Sequence, residues 1–515
     1  MKRGSLVVVA LIVAMIATLF AGCSNQQNEQ NEAGNDDIEV LYSSKNYDYW
    51  SMDPATFEFS WAFDLANDVY ETLVDFDEDM NIVPKLAESW KLSDDNLTYT
   101  FQLRQGVQFH KGYGELKASD VAFTFNRMKE MGDICTAGPE IGIDNFTVEA
   151  IDEYTVQFNF TEPDAAFLSK LTQWCGYIVS EKAVTELGED YERNPIGTGP
   201  YVLTKCVSEE VEEGEIFEEY WGDKPDIEKI VVYYITDGSE MLSAFDAGEL
   251  DFVISEDEKQ NSRYVDKDGI FMKEFMTPQI RILALNPTIE PLDDPLVREA
   301  IMYAINIDDF IDNYQLGMQQ RTTYIVPECD KYAKEGVVNY EYDPERAKEL
   351  LAQAGYPDGF EITLGTPNDQ NSDAAVIIQS YLADVGITVN VETPEFAGWW
   401  EKATACEWPM WYLGRTSNVL PDTFFGFFMT DNIGISNFSN YSDPTFDQLA
   451  TDAMTEFDEE SRVEKYGEAQ QYLADQDIIY PFNTLIRRYI CHDYINGELA
   501  DPFGRVQYSK IVMDK

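Results

Sequence analysis

An α/β or α+β architecture is what this 515-residue sequence predicts, and three observations carry the prediction. Leu97, Tyr99, Phe101 and Leu103 alternate with Thr98, Thr100 and Gln102, the period of a strand with one buried face. Val297, Ala300, Ile301, Ala304 and Ile305 recur at helical spacing, directly after the apolar, strand-like run Ile280 to Asn286. Farther on, Asp343-Pro344 opens a helix whose stripe is Ala347, Leu350, Leu351 and Ala354, and Gly355 closes it. Helix and strand patterns go on alternating through Ile377 to Val391, which excludes an all-β protein and a helix bundle.

The first element in chain order is an address. Lys2 and Arg3 precede an apolar run from Leu6 to Phe20, and Ala21-Gly22 puts small residues directly before Cys23. This layout resembles a bacterial lipoprotein signal peptide, although Phe20 stands where such signals more often carry leucine. It implies removal of residues 1–22, lipidation of Cys23 and an extracytoplasmic protein anchored to the cell membrane. The alternative is an uncleaved membrane anchor, for which the run is short against a ~30 Å hydrocarbon core. Residues 23–37, rich in Asn, Gln and acids, have no apolar periodicity and read as a solvated tether.

Ile38 to Ser44 then reads as a strand, Ser51-Met52-Asp53-Pro54 breaks it, and a mostly helical segment is expected over 66–74. The alternating strand at 97–103 follows, then turns marked by Gly106 and Gly112. Ser119 is the expected N-cap of a helix holding Asp120, Val121, Phe123, Phe125 and Met128. Asn194 to Tyr201 (NPIGTGPY) is dense in glycine and proline and is expected to carry the chain between domains.

Length and composition set limits. The chain is long enough for two or three domains of about 100–200 residues, and 44% hydrophobic content with 30 Tyr, 30 Phe and 9 Trp supplies the cores. The formal net charge of -59, from 36 Lys plus Arg against 95 Asp plus Glu, repels phosphate backbones, so nucleic acid is not an expected partner. The acids are spread along the whole chain, as on a solvated surface, and attraction for cationic ligands is the alternative. Beyond Cys23 there are cysteines at 135, 175, 206, 329, 406 and 491, whose pairing sequence cannot choose. No C-x-x-C pair occurs and there are only two histidines, so no metal and no cofactor is expected. His110 reads as structural. Walker A and dinucleotide fingerprints are absent.

Read in order, nine segments resemble the extracytoplasmic solute-binding proteins of ABC importers, in the peptide/nickel family that includes dipeptide- and oligopeptide-binding proteins. They are 86–90 (LAESW), 99–110 (YTFQLRQGVQFH), 118–124 (ASDVAFT), 197–201 (GTGPY), 220–225 (YWGDKP), 244–251 (AFDAGELD), 294–301 (DPLVREAI), 347–360 (AKELLAQAGYPDGF) and 440–444 (NYSDP). The resemblance implies a two-lobed, hinged α/β fold of the type II periplasmic-binding-protein kind, with an extra domain inserted in the N-terminal lobe. Lobe one would comprise 38–60, 196–278 and 483–515, the inserted domain 61–195 and lobe two 279–482. It also implies capture of a peptide or peptide-like solute by hinge closure, delivery to ABC permease subunits, no enzymatic step and a monomer.

In peptide-binding relatives an Asp in lobe two, just after a Gly-Trp stretch, meets the peptide α-ammonium. Here Leu413-Gly414-Arg415-Thr416-Ser417-Asn418 puts Asn418 at the Asp position and Arg415 at the Trp position. A neutral amide makes a weaker partner for an ammonium than a carboxylate does, whereas Arg415 suits an anion, unless it pairs with a neighbouring acid such as Asp422. The resemblance further implies ligand contacts from Thr416, from an aromatic wall at Trp399 and Trp400, and from a lobe-one loop at Phe59, Ser60 and Trp61.

Three alternatives stand beside this reading. One is a ligand-sensing surface lipoprotein without transport. Another is a non-peptide solute such as a sugar, an opine-like acid or a metal complex. The last is a hydrolase using paired acids such as Asp94 and Asp95 or Asp293 and Asp294. Adjacent residues on a strand point to opposite faces, which makes such pairs poor acid/base couples.

Overall fold

Two long antiparallel strands, Ile270–Leu285 and Ile479–His492, join the two halves of the molecule. The computed structural model describes residues 39–47, 51–57, 65–77, 80–368, 371–417 and 420–514, with only the backbone at 371. At one end of the pair Ile280, Ile282, Leu285, Ile479 and Phe482 lie in one hydrophobic core. At the other end Tyr489 and Cys491 lie in a second core, with Phe271 and Phe275 packed against it. Between the cores the ladder is interrupted, because pairing passes from Met276↔Ile486 to Ile280↔Thr484 and sets three residues of one strand against one of the other. An irregularity of this kind loosens pairing and bends the strand.

The half around the second core carries two four-stranded sheets. One has the order Val40–Lys45, Lys229–Tyr234, Val211–Ile216, Tyr201–Val207. The other, wholly antiparallel, has the order Ala87–Leu92, Thr98–Leu103, Thr155–Phe160, Phe146–Ala150. Helix Ala118–Met131 covers the latter, and Phe125, Phe146, Phe158, Phe160 and Phe167 meet there mostly edge to face, the arrangement ring quadrupoles favour. A six-stranded mixed sheet, ordered Phe252–Ser255, Ile479–His492, Ile270–Leu285, Met410–Thr416, Glu361–Gly365, Thr388–Glu392, runs through both halves: Phe252–Ser255 pairs with residues 488–491 at the second core, and the last three strands belong to the opposite half. The helices of that half include Pro295–Ala304 and Pro344–Gln353, whose aspartate caps, Asp294 and Asp343, accept from the main chain two and three residues on. The architecture is two-lobed α/β.

Most expected elements form where periodicity put them. Thr98–Leu103 buries Tyr99, Phe101 and Leu103, and Gly355 sits at φ +94° after the helix it terminates. Two expectations are corrected. Helix Ala118–Met131 begins one residue before Ser119, because the Asp120 carboxylate accepts the Lys117 N–H at 2.9 Å and closes the turn from inside. The helical segment expected over 66–74 is only Ala66–Val69; Tyr70 turns extended and Val74–Phe76 is a strand.

That early stop has a cause in the Gly197-Thr198-Gly199 segment. Gly199 N–H donates to Val69 O at 3.0 Å, and a Cβ on Gly197 or Gly199 would lie 2.0 Å from Val69 O or 2.4 Å from Asp68 O. Only glycine lets the two backbones approach this closely. His110 holds the segment from the other side: its Nε2–H donates to Gly199 O at 2.8 Å while Nδ1 accepts Gly197 N–H at 3.3 Å. It is fully buried, and burial pulls its pKa down to about 4, so the ring is neutral. The histidine that reads as structural therefore fixes how a Gly-Thr-Gly strap lies on its neighbour. The six cysteines beyond Cys23 are free thiols.

Candidate functional site

Strand Met410–Thr416 ends beside the break between the two cores. It pairs antiparallel with Ile270–Leu285, Ile280 opposite Arg415 and Gln279 opposite Thr416, and Ser417 N–H then donates to Pro278 O at 2.7 Å. In open α/β sheets the carboxyl ends of strands are where ligands collect. Gly414 leaves room on one face for the ends of Arg281 and Gln279, which approach to 2.6 and 2.9 Å of where a Cβ would stand. Arg415 points to the opposite face.

The Arg415 side chain is buried, 7% exposed, among rings. Its guanidinium carbon lies 3.5 Å from the centre of Phe427, 4.9 Å from Phe438 and 5.9 Å from Trp411. Nη2 donates to Ser436 O at 3.0 Å, whereas Nε has no acceptor. Among the described residues no carboxylate lies within ion-pair distance of it. Burial pulls its pKa down to about 9, which still leaves it charged at neutral pH. Asp422, the alternative partner, instead accepts from the Tyr466 phenol. The cage of three rings offsets part of the desolvation of a cation, and one buried N–H is left without an acceptor.

The aromatic residues separate into enclosed and accessible. Trp399 is fully buried, 6.4 Å from Trp411 and 5.9 Å from Phe438, with its indole N–H unpartnered. Trp400 is 41% exposed and rests edge-on against Phe438 at 5.1 Å, with half-exposed Phe396 at 5.8 Å. Phe438 thus touches Trp399, Trp400, Trp411 and Arg415 together. Thr416 is half-buried and its hydroxyl accepts from Gln279 at 3.2 Å. Phe59, Ser60, Trp61, Asn418 and Cys23 lie outside the described residues.

Phe427, Phe438 and Asp330 were not legible as site residues from spacing. The Ser417 hydroxyl oxygen lies 2.7 Å from Asp330 Oδ2 and 2.8 Å from Leu420 O, so Asp330, distant in sequence, meets the end of the strand. On another front Arg462 reaches across: its Nη1 donates to Ala165 O at 3.0 Å, and Ala166 packs into the core that holds strand Met410–Thr416. The acid pairs considered for hydrolysis serve the backbone, Asp294 as a helix cap and Asp95 by accepting Leu97 N–H.

Residues 81–435 match the description "Bacterial extracellular solute-binding proteins, family 5 Middle". The dipeptide-binding protein of Escherichia coli K12 is 30% identical over 496 residues, covering 90% of this chain and 92% of that protein. Heme-binding protein A of Haemophilus influenzae is 26% identical and covers 98% of this chain and 99% of its own. Among solved structures, the periplasmic binding protein DppA of Helicobacter pylori, in complex with the peptide STSA, superposes with a TM-score of 0.78 at 28% identity, covering 92% of this chain and 98% of that one.

Proposed function

Because the chain belongs to family 5 of the bacterial extracellular solute-binding proteins, we propose that it is the lipid-anchored substrate-binding component of an ABC importer, taking up a peptide or peptide-like solute by hinge closure. The solute enters between the lobes, the two long strands flex where their ladder is interrupted, and the closed form delivers the unaltered solute to the permease. No bond in the solute is broken.

Arg415 is the observation that carries the solute class. A guanidinium held in an aromatic cage without a carboxylate costs free energy in the empty protein, and an acidic group on the solute, such as a peptide C-terminus, repays it with a charge-assisted, bidentate pair. Thr416 supplies a hydroxyl beside it and Trp400 an open aromatic face for an apolar side chain. Phe59, Ser60, Trp61 and Asn418 complete the proposed contacts by resemblance; Trp399 supports the wall from behind its surface. Lipidation at Cys23 holds the protein outside the membrane, and Cys23→Ser is expected to release it from the membrane fraction.

The test is thermal unfolding of the protein with a defined dipeptide and tripeptide set. A ligand that binds only the folded state raises the melting temperature, by about 2.7 kcal/mol of stability at a hundredfold excess over Kd. Shifts with peptides support the reading; none with peptides but a shift with sugars or opine-like acids overturns the solute class.

A further inference from the structure

Where its ladder is interrupted, strand Ile479–His492 is held by side chains on both edges. On the edge facing Ile270–Leu285, Leu485 falls in the gap of the register, and the Thr277 hydroxyl donates to its carbonyl at 2.9 Å. On the other edge Ser255 pairs with Arg488, and the same register would set residue 257 against Ile486; Asp257 instead caps the short helix Glu258–Asn261. Gln319 takes the vacant place. Its Oε1 accepts Ile486 N–H at 2.9 Å and its Nε2 donates to Ile486 O at 3.3 Å, so one carboxamide makes the two bonds that a facing strand residue would make.

The same carboxamide has two further partners. Nε2 donates to Glu258 Oε1 at 3.0 Å, and Oε1 accepts from Asn483 Nδ2 at 3.3 Å. An amide offers two N–H donors and one oxygen with two lone pairs, so all four capacities are used. The Glu258 carboxylate only accepts, which fixes the nitrogen on its side. Gln319 is buried, 2% exposed, and Glu258 is half-buried.

The partners come from the two halves of the molecule. Gln319 follows the π-helical turn Phe310–Tyr314, whose Phe310 and Ile311 lie in the first core, and Thr322 N–H then donates to Phe482 O at 3.2 Å beside the long strand. Glu258 follows strand Phe252–Ser255, whose Phe252 lies in the second core. The carboxamide thus joins a segment of one half to an acid of the other, at the residues where the strand is least held by its own backbone.

We propose that Gln319 is a clasp on the hinge: it stands in for strand pairing at Ile486 and, through Glu258, holds the two halves at the angle of this structure, in which Arg462 also reaches Ala165 O. This rests on the hinge motion proposed above and adds the residue pair that sets its resting position. A main-chain rung at Ile486 would tie rotation of the halves to the unpairing of a strand. A side-chain rung parts and re-forms by rotation about its own torsions while the backbone stays paired on either side. Loss of the Glu258 bond, a hydrogen bond to a charged group, favours the open form by about tenfold or more.

The test is small-angle X-ray scattering of the solute-free protein, beside amide hydrogen exchange read on the peptide that holds Ile486. In Gln319→Leu, exchange at Ile486 is expected to be at least about tenfold faster, with strand Thr98–Leu103 unchanged, and the radius of gyration larger than in the wild type. Glu258→Ala removes only the link across the halves: the radius of gyration is again larger, while exchange at Ile486 stays near the wild-type rate because Gln319 remains on it. Wild-type scattering in Glu258→Ala, or wild-type exchange in Gln319→Leu, overturns the clasp. If Gln319→Leu does not fold, Glu258→Ala decides alone. Scattering of the wild type with Ala-Ala and Ala-Phe separates the clasp from the reading it rests on. A wild type that contracts beside variants that scatter like it overturns the clasp alone. Expanded variants beside a wild type that does not contract support the clasp and overturn the peptide class of solute. No change in any of the three proteins overturns hinge closure and the clasp together.

Discussion

The Arg415 guanidinium carbon lies 3.5 Å above the centre of the Phe427 ring, face on, with its Nε–H unused. A cation in this setting is costly to the empty protein and valuable to a protein that meets an anion. Arg415→Met keeps the apolar stem in the cage and removes the charge. Unfolding of the empty variant is expected at equal or higher temperature, with a gain of up to about 1–3 kcal/mol. Affinity for acidic solutes falls at least about tenfold, as loss of a charged hydrogen-bonding partner implies. Calorimetric titration beside thermal unfolding checks both. A variant that is strongly destabilised yet binds normally shows that Arg415 serves packing alone.

The His110 strap predicts an acid-sensitive contribution to stability. The folded pKa of about 4 lies below the ordinary 6.5, so protonation favours the unfolded chain. The contribution is complete above pH 6.5, declines as pH falls from 6.5 towards 4, and is gone below that. At about 1.4 kcal/mol per pKa unit it amounts to about 3 kcal/mol. Denaturant unfolding of the wild type and of His110→Asn at pH 7 and pH 4 should show the stability difference between them shrinking by about that amount. A difference independent of pH contradicts the assignment.

Close backbone contact makes the strap intolerant of side chains. Gly197→Ala brings a Cβ within 2.0 Å of Val69 O, a main-chain atom that cannot move aside without disturbing the turn that ends Ala66–Val69. The expected cost is about 3 kcal/mol or more, of the order of other strained or overpacked sites. Gly106→Ala is the control: no atom stands within 4 Å of its Cβ position, and only its φ of +82° penalises the change, by about 1 kcal/mol. Equal losses in the two variants contradict the steric account.

Arg462 offers a probe of closure. It is the residue whose guanidinium reaches Ala165 O at 3.0 Å, and its plane lies near the rings of Tyr332 and Tyr466. Arg462→Gln is expected to raise the solute dissociation rate about ten- to hundredfold, the worth of one charge-assisted hydrogen bond to a carbonyl, with little change in association rate. Stopped-flow fluorescence reads both rates. An unchanged dissociation rate removes this contact from the closed form.

How much of this the sequence announced depended on the range of the interaction. The strand Thr98–Leu103 and the helices capped by Asp294 and Asp343 rest on local period and capping, and they form as read. The helix begun at Ala66 failed for a non-local reason, since the constraint that ends it comes from residues 197–199. Arg415 was conspicuous because it replaces a tryptophan within a local stretch. Phe438 and Asp330 were not, because only the folded chain brings them to residues 415 and 417, and an isolated phenylalanine or aspartate carries no signal of its partners. The enclosed state of Trp399 against the open face of Trp400 could not be read either, since two adjacent aromatics differ only by which side of helix Phe396–Thr404 they occupy.

A crystal structure of the protein with the solute it retains on purification from its own cells tests the central claim most directly. The account predicts a chemically unaltered small molecule between the lobes at the end of strand Met410–Thr416, with an acidic oxygen about 3 Å from the Arg415 guanidinium. A solute bound away from Arg415, or one that makes no anionic contact there, contradicts it.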